Sequence, residues 1–442
     1  MQVWKFGGTS VGKPERMHSI AKLITQQSTS KVVVLSAVSG TTNSLLAIGE
    51  LIKTDKNKAY EKTEELYARY RDFIQKLYQT MNGLHAGKEI IDREFDKIRD
   101  LSMHLFDEKE AKELVVEGEL LSTQLFFAYL QESGIKAALL PALDFMKIDE
   151  DEEPMLEVAQ EYLKNAISEK YADTQLFVTQ GYICRNTAGE IDNLKRGGSD
   201  YTASLIGAAI RAEEIQIWTD IDGMHNNDPR IVKKTFPIRE ISFEEAAELA
   251  YFGAKILHPT CIRPAQKFNI PVRLLNTMQP EAPGTLITNH TIDRDIKAIA
   301  AKDGITAINI HSSRMLLAYG FLRKVFEIFE KYKTSVDMLT TSEVAVSLTI
   351  DNAYNLNLIR SELEKFSNID IDHDQTIICI VGDFTFNKNG IVAKVLEALS
   401  EIPLRMVSYG GSEHNISVLV ATEYKNQALN LLNDNLFVFE NA

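Results

Sequence analysis

Two glycine-rich turns of the sequence place positively charged side chains beside small residues, a combination that suits anion binding. Lys5 is followed by Gly7 and Gly8, and Arg196 is followed by Gly197-Gly198-Ser199-Asp200. Glycines let backbone N–H groups approach an anion closely, and a guanidinium suits a carboxylate. In the second turn the carboxylate could also orient a lysine. Each turn taken alone is also compatible with an ordinary tight turn, with Asp200 as a helix cap.

The spacing of Gly7, Gly12 and Lys13 imitates a P-loop, because these residues follow a predicted strand and open a predicted helix. A P-loop continues with a Ser or Thr that holds Mg²⁺, whereas this chain continues with Pro14. Proline offers a phosphate neither a hydroxyl nor an N–H. The sequence therefore argues against a P-loop.

Three further groups of polar residues have a plain structural interpretation beside a chemical one. Glu117 and Glu119 suit a solvated helix end. Thr219 and Asp220 follow a predicted buried strand, at a point where a nucleotide could rest. Lys255 belongs to a segment that ends a helix, where a surface lysine is the commoner case. Composition alone assigns none of them to a site.

Alternating strands and helices must position these residues. The predicted strands of this part of the chain are residues 3–6, 32–35, 175–179, 215–218 and 270–275. The proline-free stretch from residue 45 to about residue 130 has apolar residues at helical spacing and predicts a set of helices. This alternation predicts an open α/β sheet covered by helices on both faces, with ligands at the carboxyl ends of the strands.

The chain repeats itself after a linker that contains Pro and Gly near residue 290. The predicted order β-α-β-β occurs twice, and Gly320 and Ser342-Glu343 recur as Gly390 and Ser412-Glu413, each 70 positions later. Because two unrelated motifs share one offset, the sequence predicts two tandem small α+β modules.

The composition narrows the range of functions. Of the 442 residues, 45% are apolar and 25% are charged, as in an ordinary globular protein. Because 62 acidic residues outnumber 48 Lys and Arg residues, the formal net charge is −14, which makes nucleic acid and anionic membranes poor partners. The cations for an anionic substrate must therefore gather in one cleft.

Cysteine and histidine usage argues against disulfides and metal sites. Cys184, Cys261 and Cys379 are too few and too far apart for a disulfide framework and fit a reducing compartment. No two histidines have the close spacing of a zinc site. No stretch approaches the roughly 20 apolar residues of a membrane helix. We therefore expect a cytoplasmic protein without a metal site of its own.

Several of these motifs, in this order, resemble those of the aspartokinase family. The segments that carry the resemblance are Lys5-Phe6-Gly7-Gly8-Thr9-Ser10-Val11, Ser36-Ala37 with Gly40-Thr41-Thr42-Asn43, Glu117-Gly118-Glu119-Leu120-Leu121-Ser122, Arg196-Gly197-Gly198-Ser199-Asp200-Tyr201-Thr202, Trp218-Thr219-Asp220 and Phe252-Gly253-Ala254-Lys255-Ile256-Leu257-His258-Pro259. The two C-terminal modules resemble the ACT domains of the same family, so the resemblance spans the whole chain.

The resemblance implies a fold and a division into domains. It implies an amino-acid-kinase open sheet followed by two ferredoxin-like (βαββαβ) ACT domains. The implied domains are residues 1–290 for catalysis, 291–370 for the first ACT domain and 371–442 for the second. In related enzymes the first ACT module is inserted within the second, which would give residues 296–301 to the second sheet.

The resemblance also implies an activity and its residues. The activity is ATP-dependent phosphorylation of the β-carboxylate of L-aspartate to 4-phospho-L-aspartate, the first step of lysine, threonine and methionine biosynthesis, with Mg²⁺ accompanying ATP. The implied contacts of the ATP phosphates are Lys5, Gly7, Gly8 and Ser10. Lys5 would also stabilise the transferred group, and Asp200 would orient Lys5. The implied aspartate contacts are Arg196 for the α-carboxylate, Glu119 for the α-ammonium, and Ser36, Thr42 and Ser199. The remaining implied nucleotide contacts are Thr219, Asp220, His225, Arg230 and Lys255.

The implied chemistry agrees with the residues present. The β-carboxylate of aspartate has an ordinary pKa near 4, so it is ionised at neutral pH and needs no general base. What remains is positioning and charge neutralisation, as is typical of phosphoryl transfer. The local cations that so acidic a chain requires would be Lys5, Arg196, Arg230 and Lys255.

Two segments depart from the family's usual pattern. Asp192-Asn193-Leu194-Lys195 stands where Thr-Thr-x-Gly is usual, and His225-Asn226 stands where Tyr-Thr is usual. The aspartate contacts are therefore better supported than the contacts to the base. His225 suits stacking on adenine and a surface loop equally well.

The first ACT module resembles the lysine-inhibited type. The implied effector residues are Met315, Phe321, Leu322, Ser335, Val336, Asp337, Ser342 and Glu343. Asp337 and Glu343 offer carboxylates to the two ammonium groups of lysine, and the helix that opens at Gly320-Phe321 suits its carboxylate. Threonine is the alternative effector. Because ACT modules of the family pair across subunits, a homodimer is expected.

Two other functions stay open on the sequence alone. A different amino-acid kinase, for glutamate or acetylglutamate, would lack the ACT pair, and the combination of Arg196 with Glu119 favours an unblocked amino acid. A non-catalytic amino-acid sensor on a kinase scaffold is compatible with the same fold, although every charged residue that the mechanism needs is present.

Overall fold

The computed structural model describes residues 1–103, 106–194, 197–253, 257–289, 295–312, 319–385 and 388–437. They form two compact units, one made of Met1–Met224 with Leu257–His290 and one made of His225–Ile256 with Thr291–Ala442.

The strands are β1 (Gln2–Phe6), β2 (Lys31–Leu35), β3 (Ala138–Leu139), β4 (Leu176–Gln180), β5 (Ile183–Arg185), β6 (Ile191–Asn193), β7 (Ile215–Thr219), β8 (Glu240–Ser242), β9 (Val272–Asn276), β10 (Thr285–Thr288), β11 (Ile296–His311), β12 (Leu339–Thr341), β13 (Ala345–Ile350), β14 (Asn368–Gly382), β15 (Met406–Tyr409) and β16 (Asn415–Ala421). The α-helices are α1 (Pro14–Gln26), α2 (Thr41–Thr54), α3 (Lys56–Leu77), α4 (Met81–Met103), α5 (Glu108–Glu132), α6 (Ala142–Phe145), α7 (Leu156–Asn165), α8 (Gly198–Ile210), α9 (Phe243–Tyr251), α10 (Pro259–Lys267), α11 (Phe321–Lys331), α12 (Leu356–Leu363), α13 (Ile391–Ala398) and α14 (Lys425–Leu436). A π-helical turn, Ala166–Lys170, follows α7, and a 3₁₀ turn, Thr422–Tyr424, precedes α14.

The first unit is built on a mostly parallel sheet. Its strands pair in the order β3-β4-β2-β1-β7-β9-β10, and neighbours are parallel except for β9 and β10. The chain leaves β1 towards β2 and later returns to pair β7 on the other side of β1. Such a reversal of strand order opens a crevice at the carboxyl ends of the two strands. The predicted open α/β sheet is confirmed.

Helices cover both faces of this sheet. One face contributes large apolar side chains to a buried cluster that includes α1–α5: Trp4, Phe6, Val33, Leu35 and Trp218. The alternate residues point to the other face, where α8 packs closely, since a Cβ on Gly207 would lie 2.5 Å from Cδ1 of Ile215. Lys5 follows the same alternation as Val3, which pairs with Ile215, and therefore points towards α8.

The helices predicted between residues 45 and 130 are confirmed as α2–α5. Local capping residues begin two of them. Asp55 accepts a hydrogen bond from Lys58 N at the start of α3 (3.2 Å), and Asp107 forms a capping box with Glu110 at the start of α5. Within the described ranges, no helix is both long and apolar enough to cross a membrane.

The second unit contains two α+β modules that share one antiparallel sheet. Its strands pair in the order β12-β13-β11-β14-β16-β15. Residues 305–311 of β11 pair with the first part of β14, and β13 lies on their other side. Residues 296–302 pair with the last part of β14, which also pairs with β16. The first module is therefore inserted between two strands of the second, and the two predicted modules are confirmed.

A buried ion pair fixes α9 to this sheet. Oε2 of Glu245 accepts hydrogen bonds from Nζ of Lys297 on β11 and from N of Ser242, both at 2.8 Å. The Lys297 and Glu245 side chains are each only 5% exposed. Since Oγ of Ser242 in turn accepts a hydrogen bond from N of Glu245, the same carboxylate also closes the capping box of α9.

We expect Lys297→Met to lower the free energy of unfolding by about 3–5 kcal/mol, because it leaves the Glu245 carboxylate buried without its cation. The double variant Lys297→Met/Glu245→Gln should recover most of this loss, because the amide still accepts the Ser242 hydrogen bond. Urea unfolding followed by circular dichroism measures both. A double variant less stable than Lys297→Met would contradict the assignment of the loss to an unpaired charge.

Candidate active site

An ion pair at the carboxyl end of β1 forms the centre of the candidate site. Nζ of Lys5 lies 2.7 Å from Oδ1 of Asp200, and the two side chains are 12% and 16% exposed. Lys5 comes from an interior strand and Asp200 from the first turn of α8. The structure thus brings together the lysine and the carboxylate that were expected to orient each other.

Two glycines allow close packing around the start of α8. Gly197 has φ of +76°, and a Cβ there would lie 1.7 Å from Sγ of Cys261. A Cβ on Gly181, at the end of β4, would lie 2.3 Å from Oγ of Ser199. A side chain at Gly181 would push the start of α8 away from the end of β4, and a side chain at Gly197 would collide with Cys261 of α10.

The first glycine turn lies directly beside the ion pair. A Cβ on Gly7 would be 3.4 Å from Nζ of Lys5, and a Cβ on Gly8 would be 3.0 Å from O of Ala37. N of Gly7 donates a hydrogen bond to O of Trp218 (3.2 Å), so this amide already serves the fold. The glycines therefore leave space at the ammonium.

The third predicted phosphate contact of this turn, Ser10, has internal partners. Its side chain is buried, and its Oγ lies 2.7 Å from Oγ1 of Thr277 and 3.4 Å from O of Trp218. The hydroxyl thus connects the turn to β7 and to the segment that follows β9.

Glu119 is buried with one oxygen unused. Its Oε1 accepts a hydrogen bond from N of Ala37 at 3.3 Å. Its Oε2 is buried and has no hydrogen-bond partner in the described part of the chain. Burial raises the pKa of Glu119 to about 7. A cationic donor placed at Oε2 would favour the ionised form.

Small hydroxyl side chains connect the end of β2 to the start of α8 and to α5. Oγ of Ser36 donates to Oγ of Ser199 at 2.9 Å, and O of Ser36 accepts from Oγ of Ser122 at 2.6 Å. Thr42 is half-buried in the first turn of α2. Arg196, the expected partner of the α-carboxylate, lies outside the described residues.

One interpretation made from the sequence is wrong: Glu117 does not lie at a solvated helix end. The residue is 6% exposed, and Glu94 of α4 faces it with the cations Arg93 and Lys97 close by. Burial and the neighbouring Glu94 raise the pKa of Glu117 to about 9. Glu117 therefore belongs to the packing of α5 on α4.

Two residues near the site were missed in the sequence. Tyr182 follows Gly181 with φ of +70°, an uncommon conformation for a side-chain-bearing residue. Burial, with Glu119 and Asp192 nearby, raises its pKa to about 12. Arg69 donates to Oγ1 of Thr41 at 2.7 Å. Neither residue belongs to a recognisable motif, so no local signal could have found it.

The expected nucleotide contacts fall in both units. Thr219 and Asp220 end β7 in the first unit, half-buried and exposed respectively. In the second unit, Nδ1 of His225 lies 3.3 Å from Oγ1 of Thr235. Arg230 there forms a two-pronged pair with Asp228, with Nε to Oδ1 at 2.9 Å and Nη2 to Oδ2 at 2.7 Å. Lys255 lies outside the described residues.

Comparison with known proteins places this chain in a family. Residues 1–276 match the amino acid kinase family, and residues 378–436 match an ACT domain. The chain is 33% identical over 459 residues to the lysine-sensitive aspartokinase 3 of Escherichia coli, with 98% of this chain and 99% of that protein covered. The chain belongs to the aspartokinase family. It is also 36% identical over 464 residues to the chloroplastic aspartokinase 3 of Arabidopsis thaliana, with 98% of this chain and 81% of that protein covered.

Solved structures of aspartokinases match the chain over nearly its full length. The R-state of E. coli aspartokinase III in complex with aspartate and ADP superposes with a TM-score of 0.86, at 33% identity, and covers 99% of this chain and 100% of that one. The T-state of the same enzyme with lysine and aspartate superposes with a TM-score of 0.81, at 32% identity and the same coverage. The resemblance inferred from the motifs is confirmed.

Most of the effector residues expected of a lysine-sensitive aspartokinase lie around the start of α11 and the strands beside it. Phe321 is buried and Leu322 is partly exposed at the start of α11. Val336 packs against the core of the first module. The remaining expected residues that the structure describes, apart from Asp337, are exposed: Ser335, Ser342 and Glu343. Met315 lies outside the described residues.

Asp337, one of the expected effector residues, already has partners within the chain. Its side chain is fully buried, and its Oδ1 accepts from Oη of Tyr251 (2.6 Å) and from Nζ of Lys302 (3.0 Å). Nζ of Lys302 also lies 2.8 Å from Oδ2 of Asp351. Burial raises the pKa of Asp337. Its Oδ2 is buried without a hydrogen-bond partner among the residues described, so one more donor can be accepted.

Proposed function

We propose that this chain transfers the γ-phosphoryl group of ATP to the β-carboxylate of L-aspartate and releases 4-phospho-L-aspartate and ADP. The observation that carries the proposal is the nearly buried pair of Lys5 and Asp200 beside Gly7 and Gly8. An ammonium has three donors, so Lys5 can keep Asp200 and still donate to the transferred group. The relative solved with aspartate and ADP supports the choice of substrates.

The chemistry needs positioning and charge rather than proton transfer. The β-carboxylate attacks the γ-phosphorus as an ion while the bond to the β,γ-bridging oxygen breaks, and that oxygen leaves with ADP. Negative charge develops on the equatorial and leaving oxygens, where Lys5 stabilises it. Asp200 fixes Lys5 before ATP binds, so little reorganisation is needed during the transfer.

The aspartate substrate would be held at its α-carbon by two opposite charges. Oε2 of Glu119 is free to accept the α-ammonium. Ser36 and Ser199 are held together at 2.9 Å and, with Thr42, would line the pocket. We assign the α-carboxylate to Arg196 on the family resemblance alone.

Magnesium would reach this site with the nucleotide. Among the described residues, no three His, Cys, Asp or Glu side chains are grouped as a metal site. Mg²⁺ usually keeps several waters and binds one or two carboxylates together with substrate phosphates, which fits a site whose carboxylate is Asp200. Bound there, the ion would neutralise charge on the phosphates.

For the nucleotide we propose Thr219, Asp220, His225, Arg230 and Lys255. Arg230 is bound by Asp228 through both prongs of its guanidinium, so a phosphate or ribose contact would require this pair to open or to share its donors. The identity of the base contacts stays a prediction.

We expect hydroxamate to form when the wild type is incubated with aspartate, Mg-ATP and hydroxylamine, which traps the acyl phosphate. Lys5→Ala should lower the rate by about 10²–10³-fold, because it removes a charged donor from the transition state. Lys13→Ala is the matched control, since Lys13 is the exposed lysine of the rejected P-loop spacing and should keep its rate. No hydroxamate from folded wild type would favour the sensor alternative.

The dependence of aspartate binding on pH follows from Glu119. Its pKa of about 7 means that the carboxyl is mostly neutral below pH 7 and ionised above it. The KM for aspartate at saturating Mg-ATP should therefore rise up to about tenfold per pH unit below pH 7 and level off above it. Glu119→Gln should have a raised KM that no longer changes with pH. A wild-type KM that is flat from pH 5.5 to 8 would contradict the assignment.

We propose lysine as the feedback inhibitor, bound at the first ACT module. The T-state structure of the E. coli enzyme contains lysine, which supports this choice over threonine. In this chain, Oδ2 of Asp337 is the buried acceptor that an ammonium of lysine could satisfy.

Titration of the activity with single amino acids tests the effector. Lysine at millimolar concentration should inhibit the wild type, and Asp337→Asn should raise the half-inhibitory concentration at least tenfold, because the amide carries no charge for the ammonium. Threonine serves as the comparison. Inhibition by threonine alone, or an enzyme indifferent to lysine, would exclude this proposal.

The assembly and the location are proposed on the family resemblance. We propose a homodimer that pairs through its ACT modules, a cytoplasmic location, and domain boundaries at residues 290 and 370 with the two ACT domains interleaved. The interleaved pairing of residues 296–302 supports the insertion of the first ACT domain into the second.

A further inference from the structure

Helix α5 carries two charged side chains on one face. Lys112 and Glu119 are seven positions apart, or about two helical turns, which places them on the same side of the helix about 10.5 Å apart along its axis. Oε1 of Glu119 accepts from N of Ala37, next to Ser36, and its Oε2 is buried without a hydrogen-bond partner among the described residues. Nζ of Lys112 lies 2.8 Å from Oδ2 of Asp192 on β6. One rigid helix thus holds both the candidate ammonium acceptor and the hairpin β5–β6.

The ion pair of Lys112 and Asp192 is well built. The Asp192 side chain is only 6% exposed and that of Lys112 is 23% exposed. Oδ1 of Asp192 accepts a hydrogen bond from N of Asn193 at 2.8 Å, so both oxygens have donors. Glu108, one turn before Lys112, is 3.5 Å from Nζ and is 87% exposed, which makes it a minor partner.

Hydrogen bonds continue from this hairpin to the start of α8. N of Leu194, just after β6, donates to O of Tyr182 at 2.8 Å. N of Tyr182 donates to Oγ1 of Thr202 on α8, also at 2.8 Å. The first turn of α8 contains Ser199 and Asp200, and in the sequence Arg196 lies between the hairpin and this helix. The position of the hairpin therefore influences the residues proposed to bind the substrate.

We propose that Lys112 and Asp192 are positioning residues that set the distance between Glu119 on α5 and Ser199 at the start of α8, and that they thereby determine the fit of the substrate amino acid. This rests on the proposed function. An α-amino acid must reach an ammonium acceptor and a carboxylate donor at the same time, so a displaced hairpin weakens its binding. ATP binding depends less on the hairpin, because Lys5 is carried by β1 and only its partner Asp200 lies on α8.

Asp192 belongs to a segment that departs from the usual pattern of the family, so this ion pair does not follow from the resemblance.

The same helix also carries a second lysine ion pair that serves as a matched control. Lys109 pairs with Glu190 of the same hairpin region at 3.2 Å, but both side chains are nearly half exposed. A lysine that only adds surface charge should behave like Lys109.

Steady-state kinetics of Lys112→Met, Asp192→Asn and Lys109→Met, measured beside the wild type, test the inference. For the first two variants we expect the KM for aspartate to rise about tenfold, because the ion pair that positions the hairpin is lost. The kcat and the KM for ATP should stay within twofold of the wild type. Lys109→Met should match the wild type throughout. Lys112→Arg, which keeps the positive charge, should have an aspartate KM close to that of the wild type. Thermal unfolding of each variant shows that it is folded.

An unchanged aspartate KM in a folded Asp192→Asn enzyme would overturn the inference. An equal rise in both KM values together with an equal fall in kcat would also overturn it, because that pattern indicates a purely structural role. If Lys112→Met does not fold, the isosteric Asp192→Asn decides. Failure of the proposed function can be distinguished from failure of this inference, because the wild type would then show no aspartate-dependent turnover. In that case, calorimetric titration with aspartate still tests the pair, and equal affinities of wild type and Asp192→Asn would overturn it.

Discussion

The ion pair between Lys5 and Asp200 is the interaction on which the organisation of the first unit depends. Two opposite charges that are both less than a fifth exposed are stable only while they stay together. β1 must therefore end, and α8 must begin, within one ion-pair distance. Gly181 serves this constraint, because a Cβ there would lie 2.3 Å from Oγ of Ser199 at the start of α8. The same constraint leaves open space beside an ammonium at the carboxyl edge of the sheet.

Internal pairing of cations is a general feature of this acidic chain. The main pairs are Lys5 with Asp200, Lys112 with Asp192, Arg230 with Asp228, Lys297 with Glu245 and Lys302 with Asp337. A cation held by a carboxylate is oriented before a ligand arrives, so less conformational entropy is lost on binding. Such pairing also has a cost, because an anionic ligand must share the cation with the carboxylate that holds it. Lysine shares easily through its three donors, whereas the guanidinium of Arg230 must first loosen its two-pronged contact.

The sequence predicts the features that depend on neighbours along the chain. Strand–helix alternation and glycine turns are local, and they are enough to bring Lys5 and Asp200 to the same edge of the sheet. The solvated helix end suggested for Glu117 is wrong because α4, a separate helix, covers it. Likewise, one internal partner of Asp337 is Lys302, 35 positions away on a strand whose pairing no local pattern reveals. Distant contacts of this kind need the fold itself.

The shared strands of the second unit impose an order on its assembly. Ile296 pairs with Gly382, 86 positions later, whereas the contacts of the inserted module, such as Thr306 with Ile350, span shorter segments. Closing the longer loop directly costs more chain entropy and is slower. At a synthesis rate of about 5–20 residues per second, the first strand of the outer module waits several seconds for its partner. The inserted module can fold in that time and bring the two ends together. A defect in its core would therefore leave the outer module unassembled, although every residue of that module was intact.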